Sequence, residues 1–124
     1  MKTFSEMFAK AQDIAKNEGG RVVFVGQTGH IVRNMFKIAA EDNKEALVIN
    51  HQEWRIIYSE TGQVGFYSVD NPYRLGGLLI SHAFAMDETS GSAVAHRVRS
   101  TKEFKSPTGV YYPWGFKKVE YVDY

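Results

Sequence analysis

The six residues Arg21–Gly26 read Arg-Val-Val-Phe-Val-Gly, with Gly20 before them. Four successive β-branched or aromatic residues bounded by glycines, with no polar residue between them, make a strand buried on both faces, as in a parallel sheet. Such a strand needs covering layers, and the flanking sequence supplies them. Phe4, Met7, Phe8, Ala11, Ile14 and Ala15 recur at helical spacing, predicting a helix over 3–17. Thr3 and Glu6 have the spacing of a capping box, and Asn17 to Gly20 supplies the stop. Gln27-Thr28-Gly29 leads into a second helix over 28–41, with Ile31, Met35, Ile38 and Ala39 on one stripe. Helix, buried strand, helix is the rhythm of an α/β layered fold.

The middle of the chain changes character. Ala46–Ile49, Trp54–Tyr58 and Gln63–Val69 are short runs rich in β-branched and aromatic residues, and Glu60-Thr61-Gly62 marks a hairpin turn between the last two. They are expected to add antiparallel strands, with Trp54, Ile56 and Tyr58 on one face. Asn71-Pro72 and Gly76-Gly77 interrupt the pattern before a second central strand, Leu79–Met86, which ends abruptly at Asp87-Glu88. Further on, Tyr111–Trp114 and Lys117–Val122 suggest a terminal strand pair. The fold class expected is α/β, a mixed sheet with helices packed on it, in a single domain spanning 1–124.

Composition narrows the function classes. Fifteen Lys+Arg against fourteen Asp+Glu leave +1, so no whole-molecule field draws the chain to nucleic acid or an anionic membrane. The distribution is uneven, since residues 1–90 sum to −2 and 91–124 to +3. The absence of cysteine excludes disulfide scaffolds, thiolate metal sites and cysteine nucleophiles. No apolar run has the length of a signal peptide core or a membrane span, which makes the cytoplasm, of a cell or of an infected host, the expected location.

Three groups of residues carry candidate chemistry. Asp87 and Glu88 end an apolar strand, where acids either hold a magnesium ion and polarise water or simply enter solvent. Arg97, Arg99, Lys102 and Lys105, with Phe104 and the aromatic residues beyond, suit phosphate pairing and base stacking on a nucleic acid, or a solvated helix face. The aromatic terminus is also suited to burial against a protein partner or a second copy. His30, His51, His82 and His96 lack the spacing of helical zinc ligands, and His82 reads as a hydrogen-bonded core residue.

Ala83-Phe84-Ala85-Met86-Asp87-Glu88 resembles a Walker B element, and Ser68-Val69-Asp70-Asn71-Pro72-Tyr73-Arg74-Leu75-Gly76-Gly77 resembles the stretch preceding it in the ATPase domain of phage large terminases, the DNA-packaging motors. Arg21 to Thr28 is similar to that family's second strand and turn, and Thr89-Ser90-Gly91 falls at its coupling motif. Lys2-Thr3 looks like the tail of a Gly-Lys-Thr phosphate loop. The resemblance covers about residues 1–92, with 93–124 a basic, aromatic extension. It implies a P-loop-ATPase-like fold, Mg and ATP as cofactors, Lys2 and Thr3 at the nucleotide, Asp87 at the metal and Asp87 with Glu88 in catalysis.

The departures point the other way. The strand and glycine-rich turn that cradle phosphate ahead of Lys-Thr do not precede Lys2 here, and Gly76 stands where the family carries arginine. The expectation is a domain truncated at the N-terminus that binds a protein or nucleic-acid partner, DNA included, rather than one that turns over substrate. The alternatives are a nucleotide hydrolase completed by a partner subunit and a structural homo-oligomer.

Overall fold

The computed structural model describes residues 2–41, 43–70, 80–97 and 119–123. Strand β1 (Lys2–Thr3) runs directly into helix α1 (Phe4–Asn17), followed by β2 (Arg21–Gly26) and α2 (Gly29–Glu41). Three strands come next, β3 (Val48–Asn50), β4 (Arg55–Ile57) and β5 (Gln63–Ser68), then β6 (His82–Ala85), α3 (Glu88–Arg97) and β7 (Val119–Asp123). The strands form one sheet in the order β1-β7-β6-β2-β5-β4-β3. Neighbours from β1 through β5 are parallel, while β4 and β3 are antiparallel additions. The architecture is therefore α/β with a mixed sheet.

β2 sits in the interior of the sheet, as its sequence demands. Val22 to Val25 are each no more than 3% exposed. Alternation sends Val22 and Phe24 to one face and Val23 and Val25 to the other. On the first face Phe24 is level with Phe66 of β5 and Phe84 of β6, and the three rings stack with centroids 5.3 and 5.0 Å apart. Helices α1 and α2 cover this row. Phe4 meets Phe24 edge-on at 5.3 Å and Phe36 meets Phe66 edge-on at 5.7 Å, with Met7, Ala11, Ile14, Val32 and Met35 filling the remaining core. Helix α3 lies against β6, β2 and β7 and buries Ala93 and Val94.

The chain path divides the connections. From β1 to β2 and from β2 to β5 it moves toward one edge of the sheet, and from β6 to β7 toward the other. Right-handed crossovers moving in opposite directions leave their helices on opposite faces, which accounts for α1 and α2 sharing a core without α3. α1 is stopped just beyond Asn17 by Gly19, whose φ of 67° suits a residue without Cβ, and the Gly20 N–H turns back to donate to the Ile14 carbonyl at 3.1 Å.

Several expectations need correction. The first helix begins at Phe4, because Lys2-Thr3 pair with β7 as a short strand. β5 is antiparallel only to β4, and on its other side it is the parallel neighbour of β2. The second central strand is confined to His82–Ala85, and Val119–Asp123 is a parallel strand between β1 and β6 rather than part of a terminal hairpin. Its expected partner 111–114 lies outside the described residues, as do 71–79. Trp54, Ile56 and Tyr58 do gather on the core side, and the β4–β5 hairpin turns at Gly62 as read. No helix among the described residues is long and apolar enough to cross a membrane.

Candidate functional site

All five parallel strands end at the same edge, the side on which open α/β sheets bind ligands. The connections that leave β2 and β6 run toward opposite edges of the sheet, so the switch point falls between the loops that follow these two parallel strands. Helices α1, α2 and α3 all begin at this edge, directly after β1, β2 and β6.

Asp87 lies where the sequence places it, at the carboxyl end of β6. The Met86 N–H continues the sheet ladder by donating to the Val25 carbonyl at 3.0 Å. One residue on, the half-buried Asp87 turns the chain into α3. Its Oδ1 accepts the Ser90 N–H at 2.8 Å and its carbonyl accepts the Gly91 N–H at 3.0 Å, which makes Asp87 the N-cap of the helix. Ser90 is fully buried, and its hydroxyl has no partner among the described residues.

A second carboxylate stands on the other side of β2. The Val69 N–H donates to the Gly26 carbonyl at 2.9 Å, carrying β5 past its end and bringing Asp70 to the start of α2. There the Gly29 N–H donates to Asp70 Oδ2 at 3.1 Å, and the buried Ser68 hydroxyl donates to Oδ1 at 2.5 Å. The Ser68 hydroxyl first, and the Gly29 amide second, hold the Asp70 carboxyl below the ordinary carboxylate range. Thr28 Oγ1 accepts the Ile31 N–H at 3.3 Å, and the Trp54 ring stands beside Gly29. Asp70 and Thr28 thus supply the side-chain acceptors for the first turn of α2.

The remaining candidates divide in two. Lys2 and Thr3 form β1, separated from β6 by β7 alone, so they reach the same edge as Asp87 and Glu88 at about 10 Å by strand spacing. Glu88 opens α3. Arg97 closes α3 nine residues later, about 14 Å along the helix from that edge. Arg99, Lys102 and Lys105 lie outside the described residues. The histidines stay scattered: His30 is exposed at the start of α2, His51 packs edge-on to Phe36, and His82 Nδ1 meets the Ser81 hydroxyl at 3.1 Å. No three His, Cys, Asp or Glu side chains gather as a metal cluster among the described residues.

The cluster of Ser68, Asp70 and Gly29 is the part that sequence reading missed. Its signal was a strand followed by Ser-x-Asp, in step with a second strand followed by Gln-Thr-Gly. Comparison of the chain with protein-family models, with characterised proteins and with solved structures finds no match in any of the three.

Proposed function

We propose that this chain is a P-loop-ATPase-like domain of the phage-packaging type that acts by binding a protein partner rather than by turning over nucleotide. The supporting observation is the parallel adjacency of β2 and β6, with Asp87 at the carboxyl end of β6 and the topological switch beside it. β1 brings Lys2-Thr3 to that same edge.

The commitments of the carboxylates favour binding over catalysis. A magnesium–nucleotide site needs carboxylate oxygens free to order the metal's shell. Asp87 Oδ1 is engaged by the α3 amide, and both oxygens of Asp70 are engaged by Gly29 and Ser68. Leu47, just before β3, and Val48, within it, are 72% and 53% exposed at the outermost strand among the described residues and offer apolar surface suited to a protein rather than to DNA.

Isothermal titration of the full chain with Mg²⁺ and a non-hydrolysable ATP analogue, at high micromolar ligand, tests this reading. No heat of binding is expected. A saturable heat that disappears in Asp87→Asn, with the melting temperature unchanged, would overturn it in favour of a nucleotide hydrolase completed by a partner subunit. That second reading draws on the convergence of Lys2-Thr3 and Asp87-Glu88 at one edge. Light scattering across a dilution series separates a heterologous partner from self-association. A band shift with DNA at low salt would move the partner to the nucleic-acid class.

A further inference from the structure

On the sheet face turned away from α1 and α2, strands β2, β5 and β4 place two arginines around one small cavity. Register fixes the arrangement. Arg21 stands level with Gln63, and Gly65 stands between Val23 on one side and Arg55 on the other. Alternation puts these residues and Tyr67 on one face, opposite the face of Val22, Val64 and Ile56 that feeds the core. Together with Ile80 they line a cavity of about 90 Å³.

The chemistry of the lining is one-sided. It offers two guanidinium groups, a carboxamide and a phenol, and among the described residues it contains no carboxylate. Arg55 Nη1 reaches Gln63 Oε1 at 3.4 Å, which draws the guanidinium across β5 toward β2. Arg55 also pairs with Glu53, outside the cavity, so its charge is partly offset. Arg21 has no ion-pair partner among the described residues. Gly65 makes the wall possible. A Cβ there would fall 2.7 Å from Tyr67 Cε2 and 3.1 Å from its hydroxyl oxygen, so the phenol lies along β5 in the space a side chain would take. Tyr67 is only 7% exposed, which makes it a fixed wall rather than a mobile one.

We propose that this cavity binds a small oxyanion: free phosphate or the terminal phosphate of a monoester. Guanidinium groups present paired N–H donors that match the edges of a tetrahedral oxyanion, and they keep their charge at any physiological pH. The volume admits one such group and not a length of polymer. The cavity opens near the amino ends of β2 and β5, away from the carboxyl-edge carboxylates, so it stands independently of the function proposed above.

The experiment is a ¹H–¹⁵N NMR titration of the full chain at constant ionic strength. Sodium phosphate is added first, then phenyl phosphate, with sodium chloride and a short single-stranded DNA as further arms. Saturable shifts centred on the amides of Val23, Gln63, Gly65 and Tyr67 are expected with phosphate and phenyl phosphate, but not with chloride. Tighter binding of phenyl phosphate would identify the natural ligand as a monoester, and tighter binding of phosphate the free ion. Arg21→Ala and Arg55→Ala should each weaken binding about tenfold or more, the worth of a charge-assisted hydrogen bond. Arg21→Ala changes an exposed side chain, so its fold should be retained, as the rest of its spectrum would show. Equal shifts with chloride, unchanged affinity in both variants, or no saturable response would overturn the proposal. Stronger binding of DNA at the same amides would also overturn it, replacing the small oxyanion by a nucleic-acid backbone.

Discussion

Asp70 and Gly29, 41 residues apart in sequence, meet at the carboxyl edge of the sheet, where the Gly29 N–H donates to Asp70 Oδ2 at 3.1 Å. The contact ties the end of β5 to the start of α2. With the Ser68 hydroxyl it depresses the carboxyl's pKa, and that has a pH signature. A carboxyl whose folded pKa lies below its unfolded value, near 3.9, adds stability above the unfolded value. It loses that stability as pH falls through the folded value. The urea midpoint of the parent should therefore exceed that of Asp70→Asn at neutral pH, with the gap closing below about pH 4. A gap of constant size down to strongly acid pH would show that the charge of Asp70 contributes nothing.

The row of Phe66, Phe24 and Phe84 should be the most sensitive part of the core. Phe24 stacks on both neighbours and receives the edge of Phe4, and all three ring-row members are buried to within 1%. Phe24→Ala leaves a cavity that α1 cannot collapse into without leaving β5, and should cost about 3–5 kcal/mol. Chemical denaturation measures this directly. A loss below about 1 kcal/mol would mean that the row is not the packing centre.

Much of this arrangement was legible in advance, for a physical reason. Burial on both faces leaves a strand no polar alternation, so Val22 to Val25 announced an interior parallel strand, and the helical stripes of α1 and α2 announced what covers it. The neighbours of β2 were not legible. Gln63–Ser68 carries the same residue types whether it pairs only in a hairpin or also beside β2, and pairing depends on distant chain. α3 was hidden because Gly91 and two serines lower its helix propensity, leaving Asp87 as its cap. Asp87 itself was found, but with its structural duty unread. Two residues of β1 are too few to show any period at all.

That duty can be separated from a metal-binding one. Asparagine caps helices about as well as aspartate, whereas alanine has no acceptor. Asp87→Ala should therefore lower stability by about 0.5–2 kcal/mol, and Asp87→Asn should stay close to the parent. Equal losses in the two variants, by urea denaturation, would show that the negative charge rather than the cap is what the fold requires.

Gly62 gives a sharper steric test. A Cβ at this position would fall 1.9 Å from the carbonyl oxygen of Ala15, so the β4–β5 turn sits directly on the last turn of α1. The obstacle is backbone and cannot swing aside. Gly62→Ala should cost about 1–3 kcal/mol or more, against the smaller stabilisation that replacing an unconstrained turn glycine gives. A neutral or stabilised variant would mean that the turn and α1 are not in contact.

The outer strand β3 should tolerate what the core does not. Leu47 and Val48 are exposed, and β3 is the last strand of the sheet among the described residues. Charge placed on an edge strand leaves the fold intact and discourages the addition of another chain. Leu47→Lys and Val48→Lys should each change stability by less than about 0.5 kcal/mol. If this edge carries the protein contact, the same variants should abolish association in sedimentation or light scattering while the melting temperature holds. Association that survives both substitutions would place the contact elsewhere on the molecule.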